Sequence, residues 1–218
     1  MTSWIIAVRH GESEANAAFA RGVSLDGVRD ADVALTPLGR EQAVRLGREL
    51  LALPGAEAPG LAHCSPFRRA RQTLSAVADA YAAAGRAPLP VGYDARLRDR
   101  GMGALELITP EGVRERFPEE ARRRARLGEA GYRPPGGEST GDVEARVRDF
   151  LAAAEAGPGP VRLLVTHDAV VLALRRLLGP PPSGGAYVAH ASMARWRHVG
   201  AGHWLLADWN RTGAPDVG

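Results

Sequence analysis

Apolar residues open the chain in one short block. Trp4-Ile5-Ile6-Ala7-Val8 runs unbroken into Arg9-His10-Gly11. A run that short and β-rich predicts a strand buried on both faces, followed by a loop. The period is then lost: residues 17–35 are polar and glycine-containing and read as a long surface loop. Order returns at Thr36-Pro37, where threonine suits an N-cap and proline the first helical position. Leu38, Ala43, Leu46, Leu50 and Leu53 supply that helix's apolar face, and Pro54-Gly55 ends it.

The same alternation of blocks continues. Leu61–Cys64 predicts a second strand, with Ser65-Pro66 capping a helix to about Ala84. Pro88–Val91 suggests a short third strand, and 94–109 looks irregular. Helical stretches follow at 110–117 and 118–129, with Pro118 between them. Tyr132–Gly137 is a turn-rich hinge, after which Ser139 or Thr140 caps a helix to about Ala156. Gly157-Pro158-Gly159-Pro160 breaks the chain before the strand Val161–Val165, which exits at Thr166-His167. Asp168 begins a helix to Leu178, and Gly179-Pro180-Pro181-Pro182 stops it. Two alternating stretches, about 192–199 and 203–209, predict a hairpin around Gly200-Ala201-Gly202. Strands alternating with helices give an α/β fold: a three-layer α/β/α sandwich around a mostly parallel sheet. The whole span 1–218 is expected to form one domain.

Composition narrows the chemistry. The 45% of apolar and 24% of charged residues are ordinary globular usage and argue against a disordered chain. The single cysteine, Cys64, excludes an internal disulfide framework and a cysteine-rich zinc site. All 28 basic residues are arginine, so Schiff-base and P-loop lysines are excluded as well. A net charge of +3 is too small to imply nucleic acid. No membrane-length apolar run and no basic leader is visible, so a cytoplasmic setting is expected.

In an open α/β sheet, ligands bind outside the carboxyl ends of the strands. Three predicted strand exits carry unusual residues there: Arg9-His10-Gly11-Glu12-Ser13 with Asn16, Ser65-Pro66-Phe67-Arg68-Arg69-Ala70-Arg71-Gln72-Thr73, and Thr166-His167-Asp168. Two histidines and at least two arginines thus converge at one end of one sheet. Histidine is a possible nucleophile, and the guanidinium fork matches phosphate oxygens. Helix N-termini after two of the exits favour an anion at the same place. The combination describes a site for a phosphoryl dianion.

These motifs, in this order, resemble the histidine phosphatase superfamily, and within it the branch of cofactor-dependent phosphoglycerate mutase and its phosphatase relatives. The resemblance implies that His10 attacks phosphorus and that Arg9, Arg69 and His167 hold the equatorial oxygens. Asn16 and Gly11 would assist at the phosphoryl group. Where that family carries a glutamate as proton donor, this chain reads Leu97-Arg98-Asp99-Arg100, so Asp99 takes the position, one methylene shorter. Asp168 is the rival donor by likeness to the acid-phosphatase branch, or a plain helix cap. Gly136-Gly137-Glu138-Ser139 resembles a family segment at the pocket rim and equally reads as a turn with a cap. His190 falls near the leaving group or is an ordinary loop histidine. Arg122, Arg123, Arg124 and Arg126 read as a solvated helix face, and His63, His198 and His203 show no metal spacing.

The expected activity is therefore a phosphomonoester phosphatase acting on a small phosphorylated metabolite, with no cofactor and no metal. The alternatives are mutase-type phosphoryl transfer and, from another class, a non-catalytic phosphate- or nucleic-acid-binding module. The expected partner is the small substrate alone, without nucleic acid or membrane, and the expected state a monomer or homodimer.

Overall fold

The computed structural model describes residues 3–155, 161–179 and 187–212. The expected break at 157–160 and the proline stop at 180–182 lie outside them. In chain order the elements are β1 (Trp4–Arg9), α1 (Glu14–Ala20), α2 (Pro37–Leu51), β2 (Leu61–Cys64), α3 (Arg68–Ala83), β3 (Val91–Tyr93), α4 (Pro110–Arg116), α5 (Pro118–Gly131), α6 (Thr140–Glu155), β4 (Val161–Thr166), α7 (Asp168–Leu178), β5 (Met193–Gly200) and β6 (His203–Arg211).

The strands form one sheet in the order β3-β2-β4-β1-β5-β6. Its first four strands run parallel; β5 lies antiparallel to β1, and β6 returns antiparallel to β5 as a hairpin at the sheet edge. Side chains of β1 alternate between the two faces, as the period of a strand requires. Trp4, Ile6 and Val8 pack with Leu46 and Leu50 of α2 and Val77 of α3. Ile5 and Ala7 pack with Val147 and Phe150 of α6 and Leu174 of α7. Helices therefore cover both faces, which is why β1 and β4 are buried at every position.

The structure departs from the sequence expectations at four places. The segment 17–35 is not all loop: α1 occupies its start. Ser13 caps that helix through a reciprocal pair with Asn16, a capping signal hidden by the lack of an apolar face. Leu38 leaves the apolar face of α2 and is 45% exposed, while its neighbour Gly39 is the residue of that turn that meets the exit of β1. The third strand sits at Val91–Tyr93, three residues on from the expected start, since prolines cannot donate to the ladder. Ser65 does not cap α3, whose N-cap is Phe67; its hydroxyl is used elsewhere.

Two glycines set how closely the layers meet. A Cβ on Gly11 would lie 2.2 Å from the Gly39 carbonyl oxygen, and one on Gly39 would lie 2.0 Å from the Glu12 carbonyl oxygen. The exit of β1 and the first turn of α2 thus touch backbone to backbone.

Candidate active site

Parallel register brings the strand exits together. Arg9 pairs with Thr166 across β1 and β4, and Cys64 pairs with Val165 across β2 and β4. His10, Ser65 and His167 follow directly, so all three emerge side by side at the carboxyl edge of the sheet. The loop after β3 is drawn to the same edge: Thr166 Oγ1 donates to the Leu97 carbonyl at 2.7 Å, and Asp99 arrives two residues later.

His10 is buried, and its two nitrogens differ. Nδ1 donates to the Gly11 carbonyl at 2.7 Å. Nε2 accepts from Arg69 Nε at 3.1 Å. A carbonyl can only accept, so the proton sits on Nδ1 and the lone pair on Nε2. Burial first, then the positive groups His167, Arg69 and Arg9, push the His10 imidazole well below its ordinary value. It is neutral at pH 7 and has an unprotonated nitrogen at the cavity. His167 stands 5.0 Å away, ring centre to ring centre. Its Nε2 shares a 2.8 Å hydrogen bond with Ser65 Oγ, and its Nδ1 faces Asp99 Oδ2 at 3.3 Å without an aligned hydrogen bond. Burial lowers His167 too, partly offset by Asp99.

Arg69 is 97% buried and works with every donor it has. Besides His10 it reaches Asp99 Oδ2 at 2.9 Å through Nη2, and it pairs with both carboxylate oxygens of Asp30. Burial pushes the Asp99 carboxyl up, but His167 and Arg69 more than reverse this and hold it well below the usual carboxylate range. Asp99 is a carboxylate in this state. Its other oxygen accepts from Arg100 N–H at 2.8 Å.

The remaining expected residues divide. Arg9 lies at the cavity, tied to Asp168 Oδ2 at 3.2 Å and to the Val188 carbonyl, with its Nε unpartnered. Asp168 is 42% exposed at its side chain and also binds the N–H of Ala169, so it acts both as a helix-start group and as the partner of Arg9. Asn16 lines the cavity; its Oδ1 is taken by Ser13, which leaves its amide N–H groups for a ligand. Gly11 gives its N–H to Thr73 Oγ1 at 3.1 Å, so its part is close approach to α2. His190 sits 6.5 Å from His10, ring centre to ring centre, and burial pushes it down to about 4.

Three groups escaped the sequence reading. Ser65, taken for a helix cap, supports His167. Asp30 lies in a stretch without periodicity, and nothing marks it before the chain folds. Glu106 lines the cavity, accepts from Met102 N–H at 3.1 Å, and is pushed up to about 7 by burial and by Asp30. The cavity measures about 510 Å³, and its outer wall includes Phe19, Leu107, Ile108, Thr140 and Leu172.

His10, Asp99 and His167 bring ligand atoms within 4.8 Å of one another, the kind of set that could hold a metal ion. Arg69 already stands against two of the three, so the cation of this cluster is a guanidinium. Phosphorus chemistry suits the arrangement: a neutral imidazole lone pair faces fixed positive charge, with carboxyl groups close by.

Comparison with known proteins agrees with that chemistry. Residues 5–212 match the model of the histidine phosphatase superfamily, branch 1. A glucosyl-3-phosphoglycerate phosphatase of Mycolicibacterium vanbaalenii is 33% identical, over 94% of this chain and 93% of its own length. A probable phosphoglycerate mutase of Yersinia enterocolitica is also 33% identical, over 98% and 93%. Among solved structures, a mycobacterial glucosyl-3-phosphoglycerate phosphatase in complex with VO3 superposes with a TM-score of 0.75 at 28% identity, covering 96% of this chain and all of that one.

Proposed function

The chain belongs to branch 1 of the histidine phosphatase superfamily, and from that membership we propose that it is a phosphatase that hydrolyses a small phosphorylated metabolite through a phosphohistidine at His10. One observation carries the reading: the His10 tautomer is fixed, with Nδ1–H held by Gly11 and the Nε2 lone pair toward the cavity. Entering phosphoryl oxygens take the donors of Arg69, Arg9, Asn16 and His167. Nε2 then forms a bond to phosphorus as the bond to the leaving oxygen breaks. That oxygen needs a proton, and Asp99 is the proposed donor. In the unliganded site Asp99 is charged because His167 and Arg69 hold it there. A phosphoryl group that takes the Arg69 Nη2 donor and brings its own negative charge removes part of that support and opposes the rest, and the carboxyl rises. Water then attacks the phosphohistidine, gives its proton back to Asp99, and releases phosphate and neutral His10.

The substrate class follows from the cavity and from relatives. A volume of about 510 Å³ suits a phosphate with a small organic group. Relatives named for glucosyl-3-phosphoglycerate make phosphorylated sugars the first class to test. The whole chain, 1–218, is read as one catalytic domain, cytoplasmic, a monomer or homodimer, with no nucleic-acid partner; among the described residues no helix is long and apolar enough to cross a membrane. Mutase activity is the second reading, because relatives at similar identity are named as probable mutases.

The test is rapid-quench labelling with a phosphorylated substrate. The wild type should form an acid-labile, base-stable phosphoryl adduct, and His10→Ala should form none and turn over nothing while staying folded. An adduct that persists in His10→Ala removes His10 as the nucleophile. Products with and without 2,3-bisphosphoglycerate separate release to water from transfer to a second hydroxyl.

A further inference from the structure

Arg69 has five N–H donors, arranged as two forks on one plane. The end fork, Nη1 and Nη2, is taken by Asp30: Nη1 to Oδ1 at 2.8 Å and Nη2 to Oδ2 at 3.0 Å. The second N–H of Nη1 donates to the Asp30 carbonyl at 2.7 Å. The side fork, Nε and the other N–H of Nη2, faces the reaction centre, at His10 Nε2 and Asp99 Oδ2. The ring of Phe67 lies 5.1 Å from the guanidinium carbon and covers one face. Asp30 is itself held in place. Its side chain is 13% exposed, it opens the 3-10 turn Asp30–Asp32, and the carbonyl of Asp32 in that turn accepts from Arg68. An arginine this deep loses orientation if one fork has no partner, because its five donors then compete for whatever acceptors remain.

We infer that Asp30 is a positioning residue: by filling the end fork of Arg69 through two carboxylate hydrogen bonds and taking the remaining Nη1 donor on its carbonyl, it leaves only the side fork for the phosphoryl group and keeps that fork turned toward His10 Nε2. The geometry separates this from a plug. A plug would occupy the fork that meets the substrate, whereas Asp30 occupies the opposite edge, and the bonds a phosphoryl group displaces are those to His10 and Asp99. The inference rests on the phosphatase reading of the site, deepening it at the residue that aims the anion-binding group.

The experiment compares Asp30→Ala, Asp30→Asn and Asp30→Glu with the wild type in the full chain. Inorganic vanadate affinity is measured by calorimetry, p-nitrophenyl phosphate turnover by steady-state kinetics, and folding by thermal unfolding. Asp30→Ala and Asp30→Asn should each lose tenfold or more in vanadate affinity and in kcat/KM, with the fall in kcat larger than the rise in KM. Asparagine should be no better than alanine, because its amide sets N–H against N–H. Asp30→Glu should recover most of the loss, which a merely structural requirement for a small side chain at this turn would not allow. Vanadate binding that is unchanged or tighter in the neutral variants overturns the inference, and tighter binding identifies Asp30 as a competitor of phosphate. If one neutral variant does not fold, the other and Asp30→Glu decide: equal loss in the neutral variant that folds and in Asp30→Glu also overturns the inference. Because vanadate affinity is read without turnover, a wild type that binds vanadate but hydrolyses nothing defeats the phosphatase reading and leaves the positioning result standing.

Discussion

In the proposed mechanism Asp99 meets opposite demands at different stages of one turnover. Bound to Arg69 it is a carboxylate, and as a donor it must hold a proton. The proposed exchange of Arg69 from Asp99 to the phosphoryl group links the two states, so protonation comes with the substrate. Asp99→Asn should therefore be poor with alkyl phosphates and much better with p-nitrophenyl phosphate, whose leaving group needs little protonation; general acid help is worth about 10²–10⁴-fold. Asp168→Asn and Glu106→Gln should reduce rates evenly across leaving groups, since Asp168 is committed to Arg9 and the helix start. Leaving-group selectivity in either of them, and not in Asp99→Asn, would move the donor role. His10 gives a pH prediction at the same scale. Attack needs the neutral ring, and its folded value lies well below the usual 6.5. The acid limb of kcat/KM that belongs to His10 should lie below pH 6.5 once the substrate's own ionisation is allowed for. Dialysis against EDTA should leave turnover unchanged, because arginine supplies the positive charge a metal would bring.

Between elements, backbone contact decides whether the site assembles. Gly39→Ala pushes a methyl group against the Glu12 carbonyl, which is rigid main chain. It should destabilise the fold by about 1–3 kcal/mol, the usual range for overpacking, and lower kcat/KM by shifting the exit of β1. Thermal unfolding and kinetics measure the two effects, and a fully wild-type variant would contradict the close approach. Elsewhere, Glu138 and Arg146 brace the Asp99 loop: Arg146 donates to Glu138 and to the Asp99 carbonyl, while Glu138 accepts from the Gly101 N–H. The segment read as either pocket rim or turn with cap is a turn with cap: Ser139 Oγ accepts from the Asp142 N–H, and the cavity lining takes up only the next residue, Thr140. What the sequence disclosed follows a rule of distance. Strand exits and N-caps are local, so His10, Arg69 and His167 could be placed from runs, turns and motif order. α1 was hidden because its start is set by a side-chain pair and not by an apolar face. Asp30 was hidden because its meaning depends on Arg69, 39 residues away. The value of Glu106 depends on burial, which no residue pattern announces.

Across the whole molecule, four histidines are held below their ordinary value: His10, His63, His167 and His190, in each case by burial first. Above about pH 6.5 histidines are neutral in folded and unfolded chains alike, so they add no pH dependence. As pH falls below that, the unfolded chain takes up protons that the folded chain refuses, and stability drops. Each fully suppressed histidine contributes up to about 1.4 kcal/mol per pH unit until its folded value is crossed. Urea midpoints should fall steadily from pH 7 to pH 5, and His190→Gln should flatten part of that slope; a level profile would contradict the buried neutral rings. The sheet also carries Cys64, the one cysteine of the chain, fully buried at the end of β2 with its thiol pushed up to about 12. A sulfhydryl dye stirred with the native protein has nothing to react with until β2 parts from its neighbours. That lone sulfur is a built-in stopwatch: the rate at which colour develops counts how often the molecule comes open beneath its own catalytic edge. Vanadate, which binds only the closed form, should slow the clock.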